Sequence, residues 1–437
     1  MTAHHEDAPS PAPNAALLPA GSHLAWRGGQ LHVDDVPLAS LAREHGTPLF
    51  VYSQAAILDA ARGWQEALAG RDALVCYAIK ANSSLALLRL MAQAGCGFDI
   101  VSGGELERAL AAGAAPERIV FSGVGKTRAE MRRALEAGIG CFNVESLAEM
   151  DELSAIAGEM GCTAPISVRV NPDVDARTHP YISTGLKGNK FGISHAEARA
   201  AYQHAATLPW LRVKGIDCHI GSQITESAPY LEALERLLDL VEAIEADGTP
   251  LAHIDFGGGL GIDYAGEQPP APAALWGELL ARLDARGHGQ RRIIVEPGRS
   301  IVGNAGVCLT SVLRLKEGET RNFCIVDAAM NDLPRPALYQ AWHRIVPLTE
   351  MLPGTPARVW DVVGPVCESG DWIGKNRPLA VQPGDVLAVL SAGAYCMSMA
   401  SRYNSRPLPA EVLVDGSSTR LIRRREAPQD AWQHELP

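Results

Sequence analysis

Eight apolar, β-rich runs recur through the middle of the chain, and stretches with the composition of helices separate them. The runs read "VCYAIK", "FDIVS", "IVFSG", "CFNVES", "ISVRVN", "VKGIDCHI", "HIDFGG" and "IIVEPG". Between them lie segments such as "ELERALAAG" (Glu105 to Gly113), "AEMRRALEAG" (Ala129 to Gly138) and "YLEALERLLDLVEAIEADG" (Tyr230 to Gly248), several closing on glycine, the residue suited to a left-handed helix cap. A strand that is apolar throughout, rather than at every second position, is buried on both faces, which is the condition of a parallel sheet covered by helices. Eight such units between residues 50 and 299 predict a closed (β/α)8 TIM barrel of about 250 residues; a doubly wound open sheet is the competing arrangement.

Each run also ends on a residue able to bind or react. In order these are Lys80, Asp99 with Ser102, Ser122, Glu145, Asn171, His219, Gly257 to Gly259, and Glu296. In a parallel barrel all those ends converge on one face, where active sites sit. Lys80 is the most informative. A single lysine at a strand end is ordinarily a solvated charge, whereas at the mouth of a barrel it is a desolvated amine with a lowered pKa, suited to nucleophilic work.

After Ser300 the pattern changes. "GVCLTSVLRLKE", "NFCIVDA", "RVWDVVGPVCE", "DVLAVLSAGAY" and "AEVLVDGSSTRLIRRRE" are β-rich with no strong helices between them, and Asp415-Gly416 marks a turn. The opening "HLAWRGGQLHVDDVPL" has the same hairpin character. The expected organisation is a disordered tail over residues 1–20, an N-terminal segment over 21–48 that joins the β domain, a barrel over 49–299 inserted into it, and a C-terminal β domain over 300–437.

Composition narrows the function. With 39 Lys and Arg against 50 Asp and Glu, the net charge of −11 carries no basic stripe for nucleic acid or an anionic membrane surface. No apolar run is long enough to span a bilayer, and the first residues lack the basic start of a secretion signal. Nine scattered cysteines without CxxC spacing point to a reducing compartment, the cytoplasm, and away from structural zinc. Eight of them read as small core residues. Cys367, in the polar setting "GPVCESGD", does not.

The ordered motifs "YAIKAN", "GFDIVSGGE", "HIGSQ", "GGGLG", "EPGR", "NDLPRPALY", "GPVCESGD" and "SAGAY" resemble those of the bacterial diaminopimelate decarboxylases, pyridoxal-phosphate enzymes of the alanine-racemase-like barrel class. The resemblance runs from Leu24 to Glu426, with Pro334 and Arg402 as small departures. It implies decarboxylation of meso-2,6-diaminopimelate to L-lysine with pyridoxal 5'-phosphate and no metal, by a homodimer with shared sites. It also implies roles. Lys80 would carry the cofactor, in a site that includes Asp99; Gly257, Gly258, Gly259, Gly298 and Arg299 would receive its phosphate; Glu296 would pair with its ring nitrogen and His219 stack on its face.

Substrate residues follow the same resemblance. Arg335 and Tyr339 would hold the distal carboxylate, with Arg299 sharing that task, and Glu368 would take the distal ammonium. A guanidinium fork matches a carboxylate, whereas a diamine-producing decarboxylase needs an acid at that place. Cys367, reaching the other subunit's site, would return a proton to carbon, and Tyr395 would touch phosphate and substrate. Cys396 is the weaker candidate for that acid. The rival readings are a decarboxylase of ornithine, arginine or a carboxylated polyamine, and a non-catalytic regulatory homologue, which would be expected to lack Lys80, Glu296 and Cys367.

Overall fold

The computed structural model describes residues 18–175, 189–350 and 355–436. The tail expected over 1–20 lies outside them up to residue 17, and the loop Thr178 to Ile193 lies outside them as far as residue 188. The described chain forms two compact units.

One unit, Leu58–Ile262 with Glu267–Ile301, is the barrel. Its strands are β1 (Ala73–Ala78), β2 (Gly97–Ile100), β3 (Ile119–Phe121), β4 (Cys141–Val144), β5 (Ala164–Asn171), β6 (Leu211–Asp217), β7 (His253–Asp255) and β8 (Arg292–Val295). Every neighbouring pair is parallel, and β8 pairs back onto β1 with Ile294 opposite Leu74. That last pairing closes the sheet and decides against the open alternative. The continuous apolar runs account for it: in β2, β3 and β4 every residue is buried, with Phe121 and Phe142 stacked 6.1 Å apart on neighbouring strands. Each such side chain contributes about 1.5–3 kcal/mol when buried.

The helices between strands are set by their ends. Ser102 and Ser146 accept the backbone N–H of Glu105 and Glu149, and Thr127 with Glu130 forms a reciprocal capping box. Gly138 ends the helix Arg128–Ala137 in the left-handed conformation, φ 73° and ψ 44°. Ser102, a candidate functional residue by its position, is thus employed as a helix cap.

The other unit comprises the chain through Ile57, Asp263–Gly266 and everything from Val302. Its main sheet runs through Trp372–Leu379, Arg358–Val363, Phe323–Val326, Gly306–Lys316, Leu49–Ser53, Ala410–Asp415 and Ser418–Arg423. Asp415-Gly416 does turn a hairpin, with Asp415 opposite Ser418. Leu31, Val33 and Leu38 of the N-terminal segment share its core with Val307, Leu309, Val346 and Val412.

The boundary expected between residues 48 and 49 needs correction. Leu49–Ser53 is a strand of the β unit, antiparallel to Gly306–Lys316 and parallel to Ala410–Asp415. All five of its residues are buried, so its sequence has the look of a barrel strand although it lies central in the other sheet.

Candidate active site

At the C-terminal ends of the barrel strands the sequence has gathered charge. Lys80, on a short turn after β1, forms an ion pair with Asp99 of β2, and Asp99 is fully buried. The "EPGR" turn packs hard against the same segment. A Cβ on Gly298 would lie 2.9 Å from Ala81 Cβ and 3.2 Å from Ala78 Cβ, and the amide of Ala78 donates to the Pro297 carbonyl at 3.1 Å. Lys80 and Glu296 are thereby fixed to one another through backbone.

Glu296 is buried. Asn143 Nδ2 and Ser122 Oγ lie 3.4 and 3.5 Å from its Oε1. Its carboxyl, with those of Asp217 and Asp255, forms a cluster whose oxygens lie within 4.8 Å of one another. Burial first, then the charges of Asp255, Asp99 and Asp217, push Glu296 well above the usual carboxylate range. Burial and the neighbouring acids likewise lift Asp217 well above that range and Asp255 to about 6. A side-chain hydrogen bond joins Asp255 to Glu296, so the cluster holds at least one proton near neutral pH. Arg169 limits its charge from one side, with Nε 3.8 Å from Asp217 and Nη1 3.2 Å from Glu145.

The glycine loop after β7 needs its glycines. Gly257 and Gly259 have φ of 61° and 102°, and a Cβ on Gly258 would fall 2.2 Å from the Glu296 carbonyl oxygen. Gly257 donates its amide to Asp255 at 2.9 Å and Gly258 to Nδ1 of His219 at 3.1 Å. That bond requires Nδ1 to be the acceptor, which places the proton of a neutral ring on Nε2. Burial, then Arg169 and Lys80, hold His219 well below its usual pKa, so the imidazole is uncharged. Arg299, buried, donates from Nη2 to Ser222 at 3.0 Å.

A pyridoxal phosphate fits these groups on three observations: an amine paired to a buried acid, a loop that no Cβ could enter, and a buried carboxyl cluster with unpartnered oxygens on its member Asp217 and on the nearby Asp99. Lys80, Asp99, His219, Gly257 to Gly259, Glu296, Gly298 and Arg299 thus share one face of one unit. Glu145 and Asn171 serve the backbone instead, Glu145 accepting the amides of Gly123 and Gly192 and Asn171 that of Asp173.

The β unit holds the other candidates. Arg335 and Tyr339 begin and end the short helix Arg335–Tyr339, one turn apart on a common face. Arg335 is 5% exposed, and among the described residues no carboxylate pairs with it. Cys367 and Glu368 are exposed on a loop that Asp371 organises by accepting the amides of Met330 and Val366 at 2.7 and 2.8 Å. The amide of Cys367 donates to Asn404, and the Tyr403 hydroxyl bonds Glu368. Tyr395 sits at φ 55° just after Gly393, where a Cβ would strike the Val302 carbonyl. Of the nine thiols only Cys367 is exposed; Cys396 is buried and its Sγ donates to Ala394 O.

Several residues escaped sequence reasoning: Asn143, Arg169, Asp217 and Asp255 in the barrel, Tyr264 and His343 in the β unit. Asp217 and Asp255 did carry a signal. Each is an ionisable residue inside an apolar run, two places before the candidate residue at its strand end, and the two are register partners.

The pyridoxal-binding-domain model of the pyridoxal-dependent decarboxylases matches residues 54–303. Across its length the chain is 54% identical over 404 residues to the diaminopimelate decarboxylase of Vibrio cholerae, covering 92% of this chain and 96% of that one. This protein belongs to the diaminopimelate decarboxylase family. The Pseudomonas aeruginosa member is also 54% identical, over 413 residues covering 94% and 98% of the two chains. The crystal structure of the Helicobacter pylori diaminopimelate decarboxylase complexed with L-lysine superposes with a TM-score of 0.87 at 43% identity, covering 91% of this chain and 99% of that one. Among the described residues, no helix is long and apolar enough to cross a membrane.

Proposed function

We propose that this protein decarboxylates meso-2,6-diaminopimelate to L-lysine with pyridoxal 5'-phosphate, as a cytoplasmic homodimer whose active sites are shared between subunits. One observation carries the choice of substrate: Arg335 is a buried guanidinium with no carboxylate beside it among the described residues. A buried cation is costly unless an anion reaches it. A substrate with a second amino-acid head supplies that anion, whereas ornithine and arginine present a distal cation that Arg335 would repel. Free thiols at all nine cysteines support the reducing compartment.

When bound, the cofactor supplies the electron sink that accepts the pair released as carbon dioxide leaves. Lys80 Nζ is the amine that holds it, and the Asp99 carboxylate balances the charge on that amine. Glu296 would pair with the ring nitrogen and keep it protonated, and the buried acids around it would make loss of that proton costly. The uncharged imidazole of His219 would stack on the ring without adding a cation. The tight turns at Gly257 to Gly259 and Gly298, with Arg299, admit the phosphate. Arg335, Tyr339 and Arg299 orient the substrate by its distal carboxylate, Glu368 takes the distal ammonium, and Tyr395 contacts phosphate and substrate. Cys367 Sγ, from the other subunit, delivers a proton to the carbon that lost carbon dioxide.

Incubation with meso-diaminopimelate, ornithine and arginine in parallel tests the reading. Lysine and carbon dioxide should appear from the first substrate, with no amine from the other two. Putrescine or agmatine in place of lysine would overturn it.

A further inference from the structure

His343 is fully buried, and both its ring nitrogens are engaged. Nδ1 lies 2.9 Å from the carbonyl oxygen of Leu390, and Nε2 lies 2.7 Å from Nη1 of Arg335. A carbonyl can only accept, so Nδ1 carries the hydrogen, and Nε2 is left as the acceptor that the guanidinium requires. A protonated ring would turn an N–H toward the N–H of Arg335. The arrangement therefore selects one neutral tautomer. Tyr264 completes it: the Arg335 guanidinium lies 4.3 Å from the Tyr264 ring centroid, and that ring meets His343 edge-on at 5.2 Å and 77°. All four residues belong to the β unit.

A carboxylate in place of His343 would orient Arg335 equally well but would neutralise it, and an incoming carboxylate would then compete with a resident one. A neutral imidazole fixes one edge of the guanidinium and leaves its charge available. We propose that His343, oriented by the Leu390 carbonyl, and Tyr264 are positioning residues that set Arg335 for the distal carboxylate, making the protein selective for ligands with an intact second amino-acid head. This rests on the reading of Arg335 given above.

Two ligands separate this role from a general structural one. L-lysine keeps the distal head with its carboxylate; cadaverine is the same diamine without it. Their dissociation constants can be read on the holoenzyme from perturbation of the cofactor's visible spectrum. His343→Leu should weaken L-lysine about tenfold or more, the scale on which partners that orient a ligating group act, and leave cadaverine within about twofold. His343→Gln, whose amide can accept from Arg335 and donate to Leu390, should restore most of the lysine affinity. His343→Glu should fail to restore it, although it can make the same bond to Arg335. The KM for diaminopimelate should follow the lysine constant while kcat changes less.

Equal weakening of lysine and cadaverine in His343→Leu, or full lysine affinity in His343→Glu, overturns the inference. Arg335→Ala runs alongside. If it leaves lysine affinity unchanged, the carboxylate reading itself falls, and this inference with it; if it weakens lysine while His343→Leu does not, only the positioning role falls. Should His343→Leu not fold, Tyr264→Leu and His343→Glu give the same comparison of the two ligands.

Discussion

The barrel and the β unit contribute candidate residues of different character. Those of the barrel stand at the ends of paired strands, mostly buried, and each is held by a neighbour: Lys80 by Asp99 and His219 by Gly258 from the next strand end, Glu296 by Asp255 of the adjacent strand and by Asn143 from across the barrel. Those of the β unit are divided. Arg335 is buried and clamped, whereas Cys367 and Glu368 stand exposed on a loop tied down by Asp371 and Asn404. A cofactor site can be assembled from rigid strand ends within one chain, whereas on the proposed reading a residue carried on an outward loop serves another. The contrast turns on whether the two sets act on the same reaction from different subunits.

The largest effect should come from the barrel. Lys80→Ala should lose the visible absorbance of bound cofactor after desalting and lower activity by at least about a thousandfold. Retained absorbance with a borohydride-fixed adduct at another lysine would remove Lys80 from its role. The contrast itself is tested by mixing. Lys80→Ala and Cys367→Ala homodimers should each be nearly inactive. Refolded together in equal amounts, about half the dimers are mixed, and each mixed dimer has one intact site, so activity should return to about a quarter of a wild-type control. No recovery, with subunit exchange demonstrated by labelling, means both residues serve their own chain.

A third test concerns the cost of the buried acids. Asp255 has its pKa raised from 3.8 to about 6, chiefly by burial. The folded state therefore binds that proton more tightly than the unfolded one: the stabilisation is fully present below about pH 3.8 and is lost as pH rises through 6. Asp255→Asn imitates the protonated form. In the cofactor-free protein, wild type should lose stability relative to Asp255→Asn between pH 4 and 7, by on the order of 3 kcal/mol, as read from urea unfolding at each pH. A difference that does not change with pH would show that Asp255 carries no such proton. The smallest effect is expected of Gly258→Ala. Its Cβ has no room against the Glu296 carbonyl, so a loss of about 1–3 kcal/mol should accompany weaker cofactor retention. Full retention at unchanged Tm would show that the loop yields there.

Much of this was legible in the sequence because barrel strands announce themselves. Eight apolar runs with polar ends were sufficient for the closed sheet and for placing Lys80, Asp99, His219 and Glu296 on one face. Two kinds of feature were not. Leu49–Ser53 has the same apolar pattern as a barrel strand, and only pairing with Gly306–Lys316 and Ala410–Asp415 assigns it elsewhere. His343 and Tyr264 sit in stretches whose spacing carries no motif for the role. Their meaning comes from contact with Arg335, 8 and 71 positions away in sequence, and contact over such a span is made by the fold. Lys126 is the counterexample to reading every buried lysine as reactive, since Glu149 and the carbonyls of Gly123 and Asn143 satisfy it at 2.7–2.8 Å.

The amide of Glu296 donates to the Gly257 carbonyl at 2.6 Å, next to the point where Gly258 meets the Glu296 backbone without room for a Cβ. The groups expected at the ring end and the phosphate end of the cofactor are therefore stitched together by main chain. Their separation behaves like a gauge cut into the barrel, and side-chain substitution cannot adjust it finely. Strand register changes only by whole residues, about 3.3 Å at a time, so an engineer wishing to seat a longer or shorter prosthetic group would have to transplant the ends of β7 and β8 as one block.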